Sequence, residues 1–288
     1  MVITRLSGGI GNQLFQYAAG RMLALKNNDV LKLDIAGYTD PRTLFSDYPR
    51  AYTLQHYNIK AQIATPEEIR KIKYPYGFIS KLKRAFNKKI LRKFYRDYHP
   101  EIFSWKGDVY LDGFFQSEKY FADSKNIILE DFRLTTPLSD VANKLKESIT
   151  QAEDGISLHV RRGDIVSDPN NFVYHRGCSI EYYKKALEVL RPKLKSPHIF
   201  LFSDDIEWVK ENIILDVPTT AISCPDLKDY EELYLMSQCK HNIISNSTFS
   251  WWAAWLNPNQ NKMVISPDYW ATNPLYHPNI HPPTWIKI

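Results

Sequence analysis

The second half of the chain alternates short apolar runs with amphipathic segments, and this alternation limits the possible fold more than any other feature. The predicted elements are strands at 156–160, 198–202, 219–222, 242–244 and 263–265, and helices at 180–190, 206–213, 230–239 and 249–256. Strands that alternate with helices form a parallel sheet whose two faces are covered by those helices. This half is therefore predicted to be a doubly wound α/β domain.

The first half opens with a β-α-β unit and then becomes less regular. The predicted elements are strands at 2–6, 30–33 and 108–114 and helices at 12–26, 65–73, 79–96 and 139–150. A polar, Tyr- and Pro-containing loop occupies 34–50, and irregular stretches of this length are often functional. A polar turn at 151–155 precedes the strand at 156–160, so we predict two domains, 1–152 and 153–288.

Composition and charge exclude several classes of protein. The three cysteines form no C-x-x-C pair, which argues against a disulfide framework and a structural zinc site. No apolar run approaches the ~20 residues that span a bilayer, and no signal peptide is present, so a cytoplasmic location is expected. Residues 81–96 carry eight Lys and Arg and no acidic residue. This helix predicts either peripheral contact with the inner face of the cytoplasmic membrane or a solvated outer face.

A glycine-rich turn joins the first strand to the first helix. Gly9-Ile10-Gly11 resembles the start of a dinucleotide fingerprint, and Asp34 ends the next strand, where a ribose-binding acid would lie. The third glycine of that fingerprint is replaced by Leu14, which argues against nicotinamide binding. The free N–H groups at a helix start still favour an anion or a sugar.

The run from His159 to Asp164 lies at the end of a predicted core strand, where open α/β sheets bind ligands. Successive side chains on a strand point to opposite faces, so Arg161 and Arg162 are expected to diverge. One arginine can bind a diphosphate while the other pairs with Asp164 or with a neighbouring carboxylate. A purely structural ion-pair cluster is the alternative interpretation.

Two further strand ends carry polar groups. The run from Asn246 through Ser247 and Thr248 combines hydroxyls with a helix start, which predicts phosphate binding or simple helix capping. Ser203 and Asp204 follow another strand, where the carboxylate can read a ribose or a guanine edge and either residue can cap a helix. No Asp-x-Asp sequence occurs in the chain, so no metal is expected and arginine and helix N–H groups must neutralise a diphosphate.

Together these motifs resemble the α-1,2-fucosyltransferases of glycosyltransferase family 11, and the bacterial members most. The matching segments are 8–16, 115–118, 159–164, 202–205, 235–237 and 246–252. The resemblance implies two Rossmann-like domains that face each other across a cleft (the GT-B type), independent of metal and of any cofactor. It implies an inverting transfer of L-fucose from GDP-β-L-fucose to the 2-hydroxyl of a terminal galactose, in the synthesis of a surface polysaccharide or O-antigen.

The resemblance also assigns roles to individual residues. The residues that it assigns to the donor are Asn12, His159, Arg161, Asp204, Glu232, Asn246, Ser247, Thr248 and Phe249. Arg161 is expected to hold the β-phosphate, and 247–249 to contact the diphosphate through hydroxyls and N–H groups. His159 is expected to flank the nucleoside, and Asn12 to reach the donor from the first domain. Glu232 stands where the family pattern predicts an aspartate that reads guanine N1 and N2.

Further residues are candidates for the acceptor side of the site. Gln116, Asp168 and His175 are the candidates for acceptor binding, and 175–178 departs from the family pattern. Asp164 is the first candidate for the general base, followed by Asp168 and His175, unless Asp164 only pairs with Arg162. The expected partners are GDP-fucose and a galactose-containing oligosaccharide or lipid-linked glycan.

Three other functions compete with this hypothesis. A transferase that uses another nucleotide sugar, such as GDP-mannose, stays open because Glu232 departs from the family pattern. A carbohydrate-binding protein without activity is disfavoured by the intact Arg161 and Asp164 and by the hydroxyl pair at 247–248. A basic peripheral protein would bind membrane or nucleic acid through 81–96. We favour the transferase and expect no nucleic-acid partner.

Overall fold

The structure is a computed structural model that describes residues 1–39, 50–73, 98–162, 177–271 and 279–288. The predictions made for 81–96, Asp164, Asp168 and His175 lie outside the described residues. The chain divides into two compact units, Met1–Thr136 with His277–Ile280, and Pro137–Tyr276 with His281–Ile288.

The first unit contains a four-stranded parallel sheet in the order β3-β2-β1-β4. Its elements are β1 (Val2–Arg5), α1 (Ile10–Asn27), β2 (Leu31–Asp34), β3 (Gln62–Ile63), α2 (Pro66–Lys73), β4 (Val109–Leu111) and α3 (Lys125–Asp131). Val2 pairs with Leu31 on one side and with Val109 on the other, so β1 is central. The turn after β1 therefore emerges in the middle of the sheet edge.

Helix α1 packs closely on this sheet, because its sequence is apolar or small over most of its circumference. A Cβ atom on Gly20 would lie 2.0 Å from the Thr4 hydroxyl oxygen of β1, so only glycine allows this approach. Asn28 caps the C-terminal end of the helix with a left-handed φ of 51°, and its N–H donates to the carbonyls of Ala24 and Leu25.

The second unit contains a six-stranded parallel sheet in the order β10-β9-β8-β5-β6-β7. Its elements are α4 (Asp140–Gln151), β5 (Asp154–Val160), α5 (Ile180–Leu190), β6 (Pro197–Ser203), α6 (Ile206–Asn212), β7 (Thr219–Ala221), α7 (Asp229–Gln238), β8 (His241–Ile243), α8 (Thr248–Leu256), β9 (Val264–Ser266) and β10 (Ile286–Lys287). The strands and helices predicted for this half are confirmed, and β10 is added by a C-terminal segment that carries no strand signal.

Strand β5 is buried on both faces, as expected for a central strand of a doubly wound sheet. Leu158 pairs with Ile243 of β8 and with Leu201 of β6. The carboxyl ends of these three strands are therefore neighbours on one sheet edge.

Helix α4 belongs to the second unit, whereas the predicted division at 152 groups it with the first. The N–H of Ser139, which caps α4, donates to the Glu231 carboxylate of α7 at 2.7 Å. Such a contact between distant segments leaves no trace in local periodicity. None of the described helices combines the length and the apolar character needed to cross a bilayer.

Candidate functional site

The ends of β5 and β8 bring together two motifs that are 86 residues apart in the chain. His159, near the end of β5, shares a hydrogen bond of 2.9 Å between its Nδ1 and the Ser245 hydroxyl after β8. Its ring centroid lies 5.5 Å from that of Phe249 in the first turn of α8. The end of β5, which Arg161 follows, therefore lies beside the end of β8, the strand that leads into α8.

His159 is held in its neutral form by its surroundings. Its side chain is buried, and burial, with a smaller contribution from the positive charge of Arg161, lowers its pKa to about 3. A neutral imidazole has one donor and one acceptor nitrogen, and one of them is used by Ser245. His159 therefore ties the two strand ends together and does not exchange a proton near neutral pH.

The first turn of α8 is capped by Ser247, whose hydroxyl oxygen accepts from the N–H of Phe249 at 3.3 Å. Capping is thus one role of this motif, as the sequence allowed. Thr248 and Phe249 are partly exposed, and the N–H groups in the first turn of a helix favour an anion. This end of the sheet can therefore bind phosphate through backbone groups.

The buried side chain of Asn246 holds the loop that leads into α8. This side chain is buried, and its amide donates to the Trp270 carbonyl at 3.3 Å while its oxygen faces the Cys178 thiol at 3.7 Å. Its contacts are with protein groups on both sides, so the described geometry gives Asn246 a structural role in holding Ser247 and Thr248.

Arg162 is tied to the end of the neighbouring strand β6. Its backbone N–H donates to Asp204 at 2.8 Å, and its Nε donates to Asp205 at 3.0 Å. Its guanidinium lies 3.9 Å above the centre of the Trp208 ring. Asp205 is thus the neighbouring carboxylate that the sequence predicted for one arginine of the pair.

Asp205 also corrects the expected helix cap. Its second oxygen accepts from the N–H of Trp208 at 3.3 Å, so Asp205 caps α6 rather than Ser203 or Asp204. The hydroxyl of Ser203 instead accepts from the N–H of Asp205 at 3.0 Å. Asp204 is exposed at the strand end, beside the backbone of Arg162.

Two adjacent glutamates of α7 have different surroundings. Glu231 is buried and accepts from the N–H groups of Ser139 at 2.7 Å and Lys228 at 3.1 Å, so it is structural. Burial raises the pKa of Glu232 to about 7; a hydrogen bond from Ser223 opposes this shift, and Asp229 and Asp204 add to it.

Ser223 was not predicted from the sequence, because a single serine after a short strand carries no distinctive signal. Its hydroxyl oxygen accepts from the N–H of Ser203 at 2.9 Å, which leaves the hydroxyl hydrogen to bond the Glu232 carboxylate. Ser203, Ser223 and Glu232 thus form a short hydrogen-bonded chain beside Asp204. Glu232 lies at the same sheet edge as the arginine pair.

In the first unit, the turn before α1 is held by buried glutamines. Gln13 donates to the carbonyls of Gly8 at 3.2 Å and Ala51 at 2.8 Å, and accepts from the N–H of Thr53 at 2.9 Å. Gln116 donates to Asn12 at 2.8 Å. The described hydrogen bonds of the motif around Asn12 therefore serve mainly to hold this turn in place.

Asp34 has partners within the protein. Its carboxylate accepts from the Tyr110 hydroxyl and from the N–H of Ala36 at 3.0 Å, and its side chain is buried. These contacts argue against a role of Asp34 in binding the ribose of a nicotinamide cofactor.

Comparison with known proteins supports the resemblance. The model of glycosyl transferase family 11 matches residues 47–288. This chain belongs to glycosyl transferase family 11. Within the family, the chain is 32% identical to an alpha-1,2-colitosyltransferase of Escherichia coli, over 100% of this chain and 99% of that protein. It is 31% identical to the O-antigen biosynthesis glycosyltransferase WbnK of Escherichia coli, over 92% and 93% of the two chains.

More distant proteins extend the comparison. A galactoside alpha-(1,2)-fucosyltransferase 1 from Gorilla gorilla gorilla is 29% identical over 56% of this chain and 46% of that protein. Among solved structures, fucosyltransferase NodZ from Bradyrhizobium has a TM-score of 0.54 at 15% identity and covers 89% of this chain and 93% of its own. That likeness concerns the fold alone, and it confirms the predicted class of two Rossmann-like α/β units.

Proposed function

We propose that this family 11 enzyme transfers L-fucose from GDP-β-L-fucose to the 2-hydroxyl of a terminal galactose, with inversion, in the synthesis of a surface polysaccharide such as O-antigen. One observation carries the proposal: the ends of β5, β6 and β8 gather Arg161, Glu232 and the start of α8 on one sheet edge. The names of the colitosyl and fucosyl relatives support the α-1,2 linkage.

The diphosphate of the donor is assigned to Arg161 and the start of α8. Arginine forms charge-assisted bonds with phosphate oxygens, and the start of α8 adds the hydroxyls of Ser247 and Thr248 and the positive end of a helix dipole. As the bond between the sugar and the diphosphate breaks, negative charge grows on the leaving oxygen. Preorganised donors stabilise this charge without a metal.

The guanine is assigned to Glu232, with Asp204 beside it for the ribose. A carboxylate accepts from guanine N1–H and N2–H together, and the hydrogen bond from Ser223 fixes one of its oxygens. Because the pKa of Glu232 is raised to about 7, a small change in its surroundings shifts it to the charged form that guanine requires.

The reaction itself follows from inversion. The 2-hydroxyl oxygen of galactose bonds to C1 of fucose from the face opposite the diphosphate, the bond from C1 to the phosphate oxygen breaks, and GDP departs. The hydroxyl proton passes to a base. Asp164, followed by Asp168 and His175, is proposed for that role and for acceptor contact; these residues belong to segments outside the described part of the chain.

Colitosyl transfer is the second candidate, because the 32% identical relative carries that name and spans the whole chain. Colitose is 3-deoxy-L-fucose, so the two donors differ by one hydroxyl. A site that hydrogen-bonds the 3-hydroxyl discriminates strongly against a donor that lacks it.

The test is a transfer assay with the purified full chain, EDTA and a panel of β-galactosides. GDP-fucose, GDP-colitose and GDP-mannose are offered separately, and the linkage of each product is determined by NMR. We expect an α-1,2-fucoside, and we expect Arg161→Ala to lose it. Preferential use of GDP-colitose or GDP-mannose would overturn the proposal for the donor. A different linkage in the product would overturn the proposal for the linkage.

The proposed place of action is the cytoplasmic face of the membrane, where lipid-linked glycans are accessible to a peripheral enzyme. The basic segment 81–96 is proposed as the membrane contact. Sedimentation with anionic and neutral vesicles tests this separately from transfer, and equal binding to both would contradict it.

A further inference from the structure

A buried tyrosine hydroxyl holds the end of β8. Tyr182, in the first turn of α5, donates to the Ile244 carbonyl at 2.7 Å and also contacts the Ile265 carbonyl of β9 at 3.3 Å. Tyr182 is only 9% exposed, and burial raises the pKa of its hydroxyl well above the ordinary value. The hydroxyl therefore stays protonated and acts as a donor to the strand end.

The hydrogen-bond pattern of the sheet explains why a side chain is needed at this carbonyl. Strands β8 and β9 are parallel, and the N–H of Ile244 donates to the Ile265 carbonyl at 3.0 Å. In this register, the donor that would return to the Ile244 carbonyl is the N–H of residue 267. That residue is Pro267, which has no N–H. Because Ile244 is fully buried, its carbonyl needs a donor from elsewhere, and the Tyr182 hydroxyl supplies it.

The carbonyl that Tyr182 holds lies directly before the motif proposed to bind the donor. Ser245 follows Ile244 and shares a hydrogen bond of 2.9 Å with His159, and its carbonyl accepts from the N–H of Ser247 at 2.8 Å. Ser247 then caps α8. Because the backbone between the Tyr182 bond and the helix start is this short, the position of the Ile244 carbonyl sets where the first turn of α8 begins.

We propose that Tyr182 is a positioning residue for the donor diphosphate. By holding the Ile244 carbonyl, it sets the place of the hydroxyls and of the helix terminus at the start of α8. The proposal rests on the proposed function for the identity of the ligand. The role of Tyr182 is indirect, because its hydroxyl is bonded to the sheet, and only the packing of α5 brings the hydroxyl there.

The test compares GDP with guanosine, because the difference between their affinities measures what the diphosphate contributes. Tyr182→Phe removes only the hydroxyl and keeps the aromatic ring, whose centroid lies 5.0 Å from that of Tyr183 in an edge-on contact. In calorimetric titrations of the full chain, we expect the affinity for GDP to fall about tenfold, equivalent to one lost hydrogen bond. The affinity for guanosine is expected to stay at its wild-type value. Equal losses for both ligands would overturn the proposal.

The matched control is Tyr17→Phe. This variant removes another buried tyrosine hydroxyl, which donates to Asp131 at 2.8 Å within the first unit and has no assigned role in donor binding. We expect both affinities to remain at their wild-type values. An equal loss of GDP affinity in Tyr17→Phe would mean that the effect follows from the removal of any buried hydroxyl, and would also overturn the proposal.

A second readout needs no ligand. Hydrogen exchange followed by mass spectrometry reports the opening of the backbone in 244–251, the segment that runs from the Tyr182 bond into α8. We expect exchange in this segment to accelerate in Tyr182→Phe, while the other strands of the second unit keep their wild-type rates, and to be unchanged in Tyr17→Phe. Wild-type exchange in 244–251 of Tyr182→Phe, or an equal increase across the second unit, would refute the positioning role. If the wild-type chain bound no GDP and transferred none of the offered sugars, the proposed function would fail, while hydrogen exchange would still decide the role of Tyr182.

Discussion

Removal of Arg162 is expected to lower mainly the stability, and removal of Arg161, the adjacent arginine after β5, is expected to lower mainly the activity. Arg162→Ala should lower stability and leave most of the activity, because its guanidinium is occupied by Asp205 and Trp208. Arg161→Ala should abolish most of the activity, because Arg161 is the residue assigned to the leaving diphosphate. The two substitutions are matched, since they remove the same side chain from neighbouring positions.

The magnitudes follow from exposure and geometry. The Arg162 and Asp205 side chains are 28% and 40% exposed, and ion pairs of this kind contribute about 0.2–1 kcal/mol. The stacking on Trp208 adds about 0.5–1 kcal/mol. The helix cap survives, because Asp205 still accepts from Trp208. The loss in Arg162→Ala is therefore about 1–2 kcal/mol, whereas removal of a donor to a developing anion costs ~3 kcal/mol or more, about 100-fold in kcat/KM.

The assay combines two measurements on both variants. Urea unfolding followed by tryptophan fluorescence gives the free energy of unfolding, and transfer from the preferred GDP-sugar gives kcat/KM. The assignment would be refuted if Arg162→Ala lost 100-fold in kcat/KM at wild-type stability while Arg161→Ala stayed within a few fold of the wild type.

Three further predictions concern proton binding and the turn before α1. Because the pKa of Glu232 is about 7, the affinity for GDP, measured by calorimetry, should fall up to tenfold per pH unit below pH 7. The Glu232→Gln variant should bind GDP weakly at every pH. A pH dependence in the variant that is parallel to that of the wild type would contradict this. Burial keeps His159 neutral with a pKa of about 3, so its contribution to stability is present above pH 6.5 and is lost as the pH falls toward 3. The free energy of unfolding should drop by about 1.4 kcal/mol per pH unit below pH 6.5, and His159→Gln should lose that component; an equal slope in both proteins would refute the assignment. Gly8→Ala should lower stability by about 1–2 kcal/mol, because Gly8 has a φ of +78° and a Cβ atom there would lie 2.5 Å from the Asn12 amide nitrogen; an unchanged melting temperature would refute this.

Part of the candidate site could be predicted from the sequence because parallel strands share one ligand-binding edge. Once 156–160 and 242–244 are recognised as strands of the same sheet, His159, Arg161 and Ser247 must lie at that edge. The pairing of one of the two arginines with a neighbouring carboxylate was also predicted, and Arg162 with Asp205 is that pair. The different roles of Glu231 and Glu232 could not be predicted. The two residues are adjacent on α7, and their surroundings are decided by how that helix packs.

What the sequence determined by itself was local: the alternation of strands and helices, the polar motifs at the strand ends, and the family that these motifs resemble. The tertiary structure decided which strands are neighbours, that Asp205 and Trp208 hold Arg162, that α4 packs with α7, and that Gln116 reaches Asn12 from 104 residues away. The physical reason is that periodicity reports which face of an element is buried, whereas the partner of a side chain depends on packing between segments that no local pattern connects.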